Sequence, residues 1–193
     1  MYSRTGNYCH LRYPKSMLNC TKLFATDSQT TIINEVVSFY QNNKNCVIMI
    51  SGNPATGKST MGTLIAKELN GSLCDTFNPT NPGDNLRNVY NQVEPKFEKP
   101  LILLIDEFDV LLRSFHNNQV VLHKNIPTEV YNKTTWNRLF NKISQEQFPN
   151  LIVILTTNLT RETIEEEFDK SYIREGRFNF YYKLLKMKNE KNE

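Results

Sequence analysis

Residues 51–60 read Ser51-Gly52-Asn53-Pro54-Ala55-Thr56-Gly57-Lys58-Ser59-Thr60. Without a Cβ, Gly52 and Gly57 let the backbone wrap closely around a ligand. The amides from Ala55 to Ser59 can then turn inward as an anion nest, and the positive end of a following helix adds to it. Lys58 supplies a point charge for the β and γ phosphates, and Ser59 offers one hard oxygen to a Mg²⁺ that also holds phosphate oxygens. The spacing GxxxxGK[ST], with the apolar run 46–50 before it and a helical pattern after it, is that of a phosphate-binding loop. It predicts that Gly52, Asn53, Pro54, Ala55, Thr56, Gly57, Lys58, Ser59 and Thr60 hold a nucleoside triphosphate.

Three further groups of residues could act on that phosphate. The run Leu101-Ile102-Leu103-Leu104-Ile105 is unbroken and apolar, as a parallel strand buried on both faces would be, and it ends in Asp106-Glu107. Ligands of open parallel sheets sit beyond the carboxyl ends of the strands, so both acids are expected beside the phosphates. Because strand side chains alternate, Asp106 can support the Mg²⁺ while Glu107 polarises a water for attack. The alternative is a strand entering an acidic turn, with Asp109 capping a helix over 110–115. A third run, Leu151-Ile152-Val153-Ile154-Leu155, leads to Thr156-Thr157-Asn158. The Asn158 amide could hydrogen-bond the γ phosphate or the attacking water, or serve only as a turn residue. Last, Ile173-Arg174-Glu175-Gly176-Arg177-Phe178 carries two arginines that could stabilise charge on a transferred phosphoryl group. Its plainer reading is a helix over 161–173 ended by Gly176 with basic residues near its C-terminus.

The elements that must position these groups alternate between two periods. Ile32, Ile33, Val36, Val37 and Tyr40 recur at three- and four-residue steps, an amphipathic helix over 28–41 with Asp27 or Ser28 as its cap. A helix over 60–69 is closed by Asn70-Gly71, and a strand over 72–77 leads through a turn-rich link to a helix over 84–93. Residues 114–133 are polar and broken by Pro127, a surface excursion. A helix over 134–145 returns to the 151–155 strand, and 178–182 alternates as a final strand. Strands alternating with helices make an α/β sandwich with right-handed crossovers.

The order GNPATGKST, LLIDEFD, LTTN and IREGRF resembles the Walker A, Walker B, sensor 1 and RxGR segments of AAA ATPases, over roughly residues 28–183. The resemblance implies a P-loop NTPase three-layer sandwich whose five-stranded parallel sheet has the order 5-1-4-3-2. It implies that Lys58 and Ser59 bind ATP and Mg²⁺, Asp106 supports the metal, Glu107 is the hydrolytic base and Asn158 the sensor. It further implies that Arg174 and Arg177 are fingers acting on the ATP of a neighbouring subunit. The link 77–85 is similar to that of the AAA branch of respiratory-complex assembly chaperones. Three departures stand out. No aromatic-hydrophobic-glycine tripeptide follows the second strand, where the chain reads FNPTNPGD. The link from Asn158 to Arg174 is long and holds Glu165-Glu166-Glu167. The sequence ends at Glu193, so the helical lid that usually follows is expected to be missing, and oligomerisation is expected to be weak or dependent on ATP.

Composition bounds the rest. The 193 residues suit one domain, an arm over 1–27 and a core over 28–193. A net charge of +3 gives no strong nucleic-acid signal, and Lys183, Lys186, Lys188 and Lys191 read as a solvated helix end. No segment has the apolar length of a membrane span, and 1–19 lacks the apolar centre of a signal peptide, which together predict an intracellular, cytoplasmic protein. Cys9, Cys20, Cys46 and Cys74 are widely spaced, and His10, His116 and His123 share no ligand spacing. In the arm, Tyr2, Tyr8 and Tyr13 suggest packing on the core or on a partner. The leading reading is an ATPase that remodels a macromolecular partner. A small-molecule kinase and a nucleotide-dependent binding module are the alternatives, separated from it by turnover without an added acceptor.

Overall fold

The parallel sheet has central runs, 46–50, 101–105 and 151–155, that are apolar on both faces, because helices cover each side and leave no face to water. In a computed structural model, which describes residues 1–186 apart from Asn19 and Thr21, five strands form it. They are β1 (Asn45–Gly52), β2 (Ser72–Cys74), β3 (Leu101–Ile105), β4 (Leu151–Thr157) and β5 (Phe180–Leu184). The order is β2-β3-β4-β1-β5, the expected 5-1-4-3-2 read from the opposite edge, and all four pairings are parallel.

Alternation along each strand separates two apolar layers. Val47, Met49, Leu103, Ile105, Val153 and Leu155 face one side. There they meet Leu86, Val89 and Val93 of α3 (Leu86–Val93), Phe108, Leu112 and Phe115 of α4 (Phe108–His116), and Trp136, Leu139, Phe140 and Ile143 of α5 (Lys133–Ser144). Cys46, Ile48, Ile50, Ile102, Leu104, Ile152 and Ile154 face the other side. Against them pack Ile32, Ile33, Val36 and Tyr40 of α1 (Asp27–Asn43) and Met61, Leu64, Ile65 and Ala66 of α2 (Thr60–Glu68). Trp136 is fully buried between Phe108 and Phe115, at ring separations of 5.0 and 5.2 Å, and its Nε1 donates to Tyr172 O at 2.9 Å. Satisfying that one polar atom is what allows so large an apolar body to sit in the core.

Register sets the site. Leu155 is the partner of both Met49 and Ile105, so the carboxyl ends of β1, β3 and β4 lie on the same edge of the sheet, with β4 and β1 running on to Thr157 and Gly52 past the level at which β3 stops. Gly52 and Thr156 at the ends of β1 and β4, and Asp106 just past β3, therefore emerge along that edge.

Several local expectations are corrected. The cap of α1 is Thr26 rather than Asp27 or Ser28, in a reciprocal capping box with Gln29. The second strand ends at Cys74 rather than at 77, and just beyond it Arg4 N of the arm donates to Thr76 Oγ1 at 2.7 Å. Helix α4 begins at Phe108, so Asp109 lies inside its first turn and is not its cap. The helix expected over 161–173 is a four-residue turn, α6 (Arg161–Ile164), then a π turn over Glu165–Asp169 and a 3-10 turn over Lys170–Tyr172. Asp169 breaks it: its backbone is extended and its side chain accepts from Ser171 N, starting the last turn afresh. Lys183 lies on β5 rather than at a helix end, while Lys188 and Lys191 fall outside the described residues.

The arm packs on the core. Tyr2 N donates to Leu73 O at 2.7 Å, which lays the arm beside β2. Tyr13 is buried, with its hydroxyl 2.5 Å from the fully buried Asp84, whereas Tyr8 stays exposed. Burial pushes the Asp84 carboxyl above the usual carboxylate range, against hydrogen bonds from Tyr13, Asn78 N and Arg4 that favour its charged form. The polar excursion is zipped to the link after β2: Gly83 N donates to Pro127 O at 2.8 Å and Val130 N to Pro79 O at 2.9 Å.

Candidate functional site

The loop between β1 and α2 takes its shape from left-handed backbone. Ala55 has φ 63° and Gly57 φ 84°. Holding a non-glycine residue there costs about 1–2 kcal/mol, strain of the sort that collects at binding loops. At Gly57 a Cβ would lie 2.7 Å from Gln29 Nε2, and at Gly52 it would lie 2.4 Å from Leu184 O. At Gly52 the backbone neighbour excludes a side chain, whereas at Gly57 the left-handed φ is what favours glycine, the close atom being the end of a flexible side chain.

Lys58 Nζ donates to Gly52 O at 2.8 Å, to Asn53 O at 2.9 Å and to Asn158 Oδ1 at 3.0 Å. The last contact joins the ends of β1 and β4, residues 100 apart in sequence. Ser59 Oγ donates to the Asp106 carboxylate, 2.8 and 2.9 Å from its two oxygens, joining α2 to the end of β3. Behind this pair stands Thr156, 1% exposed, whose hydroxyl donates to Asp106 Oδ1 while accepting from Glu107 N at 3.2 Å. One hydroxyl therefore fixes both acids. Both acids lie beyond the end of β3, and Glu107 takes a left-handed turn, φ 51° and ψ 46°, ahead of α4, so the expected strand alternation does not extend to them. Asp109 has a different task from the cap expected of it: its Oδ1 accepts from Asn158 N at 3.3 Å and so holds the turn after β4.

Between Lys58, Ser59, Asp106, Glu107 and Asn158 lies an open cavity of about 190 Å³. Its donor set is hard: a hydroxyl, a carboxylate and an amide oxygen beside a lysine ammonium. Ser59 Oγ and the Asp106 carboxylate, already within hydrogen-bonding distance of each other, are the oxygen ligands that fit Mg²⁺.

The two arginines part company. Arg174 is exposed. Arg177 is 6% exposed, and its guanidinium donates to Asn141 Oδ1 at 3.0 Å, Asn137 Oδ1 at 2.5 Å and Ser171 O at 2.7 Å. Burial, with the nearby Arg174 charge, lowers its pKa from the ordinary value. In this conformation Arg177 ties α5 to the 3-10 turn. Of the two expected fingers, Arg174 is exposed and Arg177 is buried.

Three contributors escaped the motif pattern. Thr156 could be read only as the end of a strand, and Asp109 only as a cap. Gln29 Nε2 donates to Gly57 O at 3.3 Å from a helix ahead of the loop. The Thr26-x-x-Gln29 spacing signals a capping box, but nothing local signals a contact 28 residues away.

A family model for AAA, the ATPase family associated with various cellular activities, matches residues 48–184, well over half of the chain. A search of curated proteins finds no match. The matched span includes the glycine-wrapped loop, both acids, the Asn158 turn and the arginine segment, on a sheet of the order that such a core requires. The chain belongs to the AAA ATPase family, with the ATP binding and hydrolysis general to that family.

Proposed function

We propose that this chain is a Mg²⁺-dependent ATPase that couples hydrolysis to remodelling of a macromolecular partner, acting as a homo-oligomer that forms weakly or with ATP. The observation that carries the reading is the convergence of Lys58, Ser59, Asp106, Glu107 and Asn158 from three separate segments on one cavity.

In this reading the loop amides and the N-terminus of α2 receive the phosphates. Lys58 exchanges the carbonyls of Gly52 and Asn53 and the Asn158 amide oxygen for phosphate oxygens, which are stronger, charged acceptors. That exchange releases the Asn158 amide to hydrogen-bond the γ phosphate or the attacking water. Ser59 and Asp106 would hold Mg²⁺, which when bound neutralises charge on the β and γ oxygens. Thr156 keeps Asp106 turned toward Ser59, and its contact with Glu107 N fixes the backbone from which the Glu107 carboxylate takes a proton from water. Arg174 is assigned as the finger on a neighbouring subunit's phosphate, which its exposure and the family's tendency to assemble support. The division into an arm over 1–27 and a core over 28–193 is part of the same proposal.

Among the described residues no helix is long and apolar enough to cross a membrane. Cys9, Cys20, Cys46 and Cys74 are free thiols, which supports a reducing cytoplasmic setting.

The test is phosphate release from ATP and GTP over a range of protein concentrations, with and without Mg²⁺, beside Glu107→Gln. Turnover should need no added acceptor, rise per subunit with concentration, and fall by about 10²–10⁴-fold in the variant while ATP still binds. Undiminished turnover in Glu107→Gln would overturn the assignment of the base.

A further inference from the structure

The phosphate loop is braced from outside the segment that the family match covers. Gln29 is 5% exposed and lies in the first turn of α1, ahead of the matched span 48–184. Its two amide atoms do different things. Oε1 accepts from Thr26 N at 3.0 Å and completes the capping box, while Nε2 donates to Gly57 O at 3.3 Å. The fit is close on the loop side too, since any Cβ at position 57 would meet Nε2 at 2.7 Å.

The consequence lies in the peptide plane. Gly57 C=O and Lys58 N–H belong to one planar trans peptide, so they point in opposite directions and rotate as one body. Anchoring the carbonyl toward α1 turns the Lys58 N–H away from α1. Gly57, with no Cβ and φ 84°, is the residue beside which this plane would otherwise rotate most freely.

We propose that Gln29 is a positioning residue for nucleotide binding: by holding the Gly57 carbonyl it aims the Lys58 amide into the phosphate cradle. This rests on the ATPase reading above and adds to it a determinant on α1. Gln29 touches no reacting atom. A preset amide serves the bound phosphates of substrate and transition state alike, so its loss should appear in binding more than in the chemical step.

Three variants separate loop positioning from helix capping. Gln29→Glu keeps an acceptor for Thr26 N and removes the donor to Gly57. Gln29→Ala removes both. Thr26→Ala removes the capping hydroxyl and leaves the Gln29–Gly57 contact. ATP affinity is measured by calorimetry on the full chain, KM and kcat by phosphate release, and stability by thermal melting. Gln29→Glu and Gln29→Ala should each weaken ATP binding and raise KM by about three- to tenfold, with kcat within about twofold of the parent. Thr26→Ala should lower the melting temperature and leave affinity unchanged. The proposal is overturned if Gln29→Glu binds ATP as the parent does, or if both Gln29 variants lose kcat in step with folded fraction while KM stays fixed. Failure of the ATPase reading looks different: the parent and Lys58→Ala would then bind ATP equally poorly.

Discussion

Arg177→Ala removes a guanidinium that is 6% exposed and strands three acceptors, Asn141 Oδ1, Asn137 Oδ1 and Ser171 O. Hydrogen bonds to a charged donor are worth about 1.5–3 kcal/mol each. Two offsets reduce the sum. The folded chain no longer has to bury a charge, and the half-buried Asn137 and Asn141 can turn partly toward water. A net loss of about 3 kcal/mol remains, which in a chain of this length lowers the melting temperature by about 6–12 °C. Arg174→Ala removes an exposed side chain and should change stability by no more than about 0.5 kcal/mol, a shift below about 2 °C. If Arg174 reaches a neighbour's phosphoryl group, its loss should cut turnover by about 10³-fold or more. The assay pairs thermal melting with phosphate release at one protein concentration. A mixture of Arg174→Ala with Lys58→Ala should then regain partial activity, since each supplies what the other lacks. Should Arg177→Ala melt within about 2 °C of the parent, the reasoning from buried hydrogen bonds is refuted. Undiminished turnover in Arg174→Ala would refute its assignment as a finger.

Three further outcomes follow from the same geometry. Thr156→Val keeps the shape and removes the hydroxyl shared by Asp106 and Glu107 N, so the Mg²⁺ concentration for half-maximal turnover should rise by about tenfold, read from a metal titration. Ala55→Gly relieves about 1–2 kcal/mol of left-handed strain against about 0.5–1 kcal/mol of added freedom in the unfolded chain. The urea midpoint should therefore move up slightly, and a drop would show that Ala55 is not strained. Asp169 is held at about 2, below its usual 3.8, mainly by its hydrogen bond from Lys133. A depressed carboxyl stabilises the fold above its unfolded value and loses that contribution as pH falls from 3.8 to about 2. Melts of Asp169→Asn should be flatter than the parent's across that window, by a small margin because both partners are partly exposed.

What the sequence settled by itself is local or periodic. Gly52 and Gly57 at their spacing already demand a wrapped loop, because glycine readily takes the positive φ found at both and tolerates the close backbone neighbour at Gly52. The runs 101–105 and 151–155 already demand buried parallel strands, and with them the placing of Asp106, Glu107 and Asn158 at the strand ends. Tertiary structure decided which groups face one another. Arg174 and Arg177 are chemically alike and three residues apart, yet packing against α5 buries one and leaves the other in water. Thr156 became the bridge between two acids only through the register of β3 with β4, and Gln29 reached Gly57 only because α1 lies over the end of β1. Asp169 breaks a helix that periodicity would have continued, since its side chain offers Ser171 N a better partner than the helix does. Residue type and spacing fix what a group can do within a few neighbours. Contacts across 28, 50 or 100 residues depend on how whole elements settle against the sheet, and no local pattern encodes them.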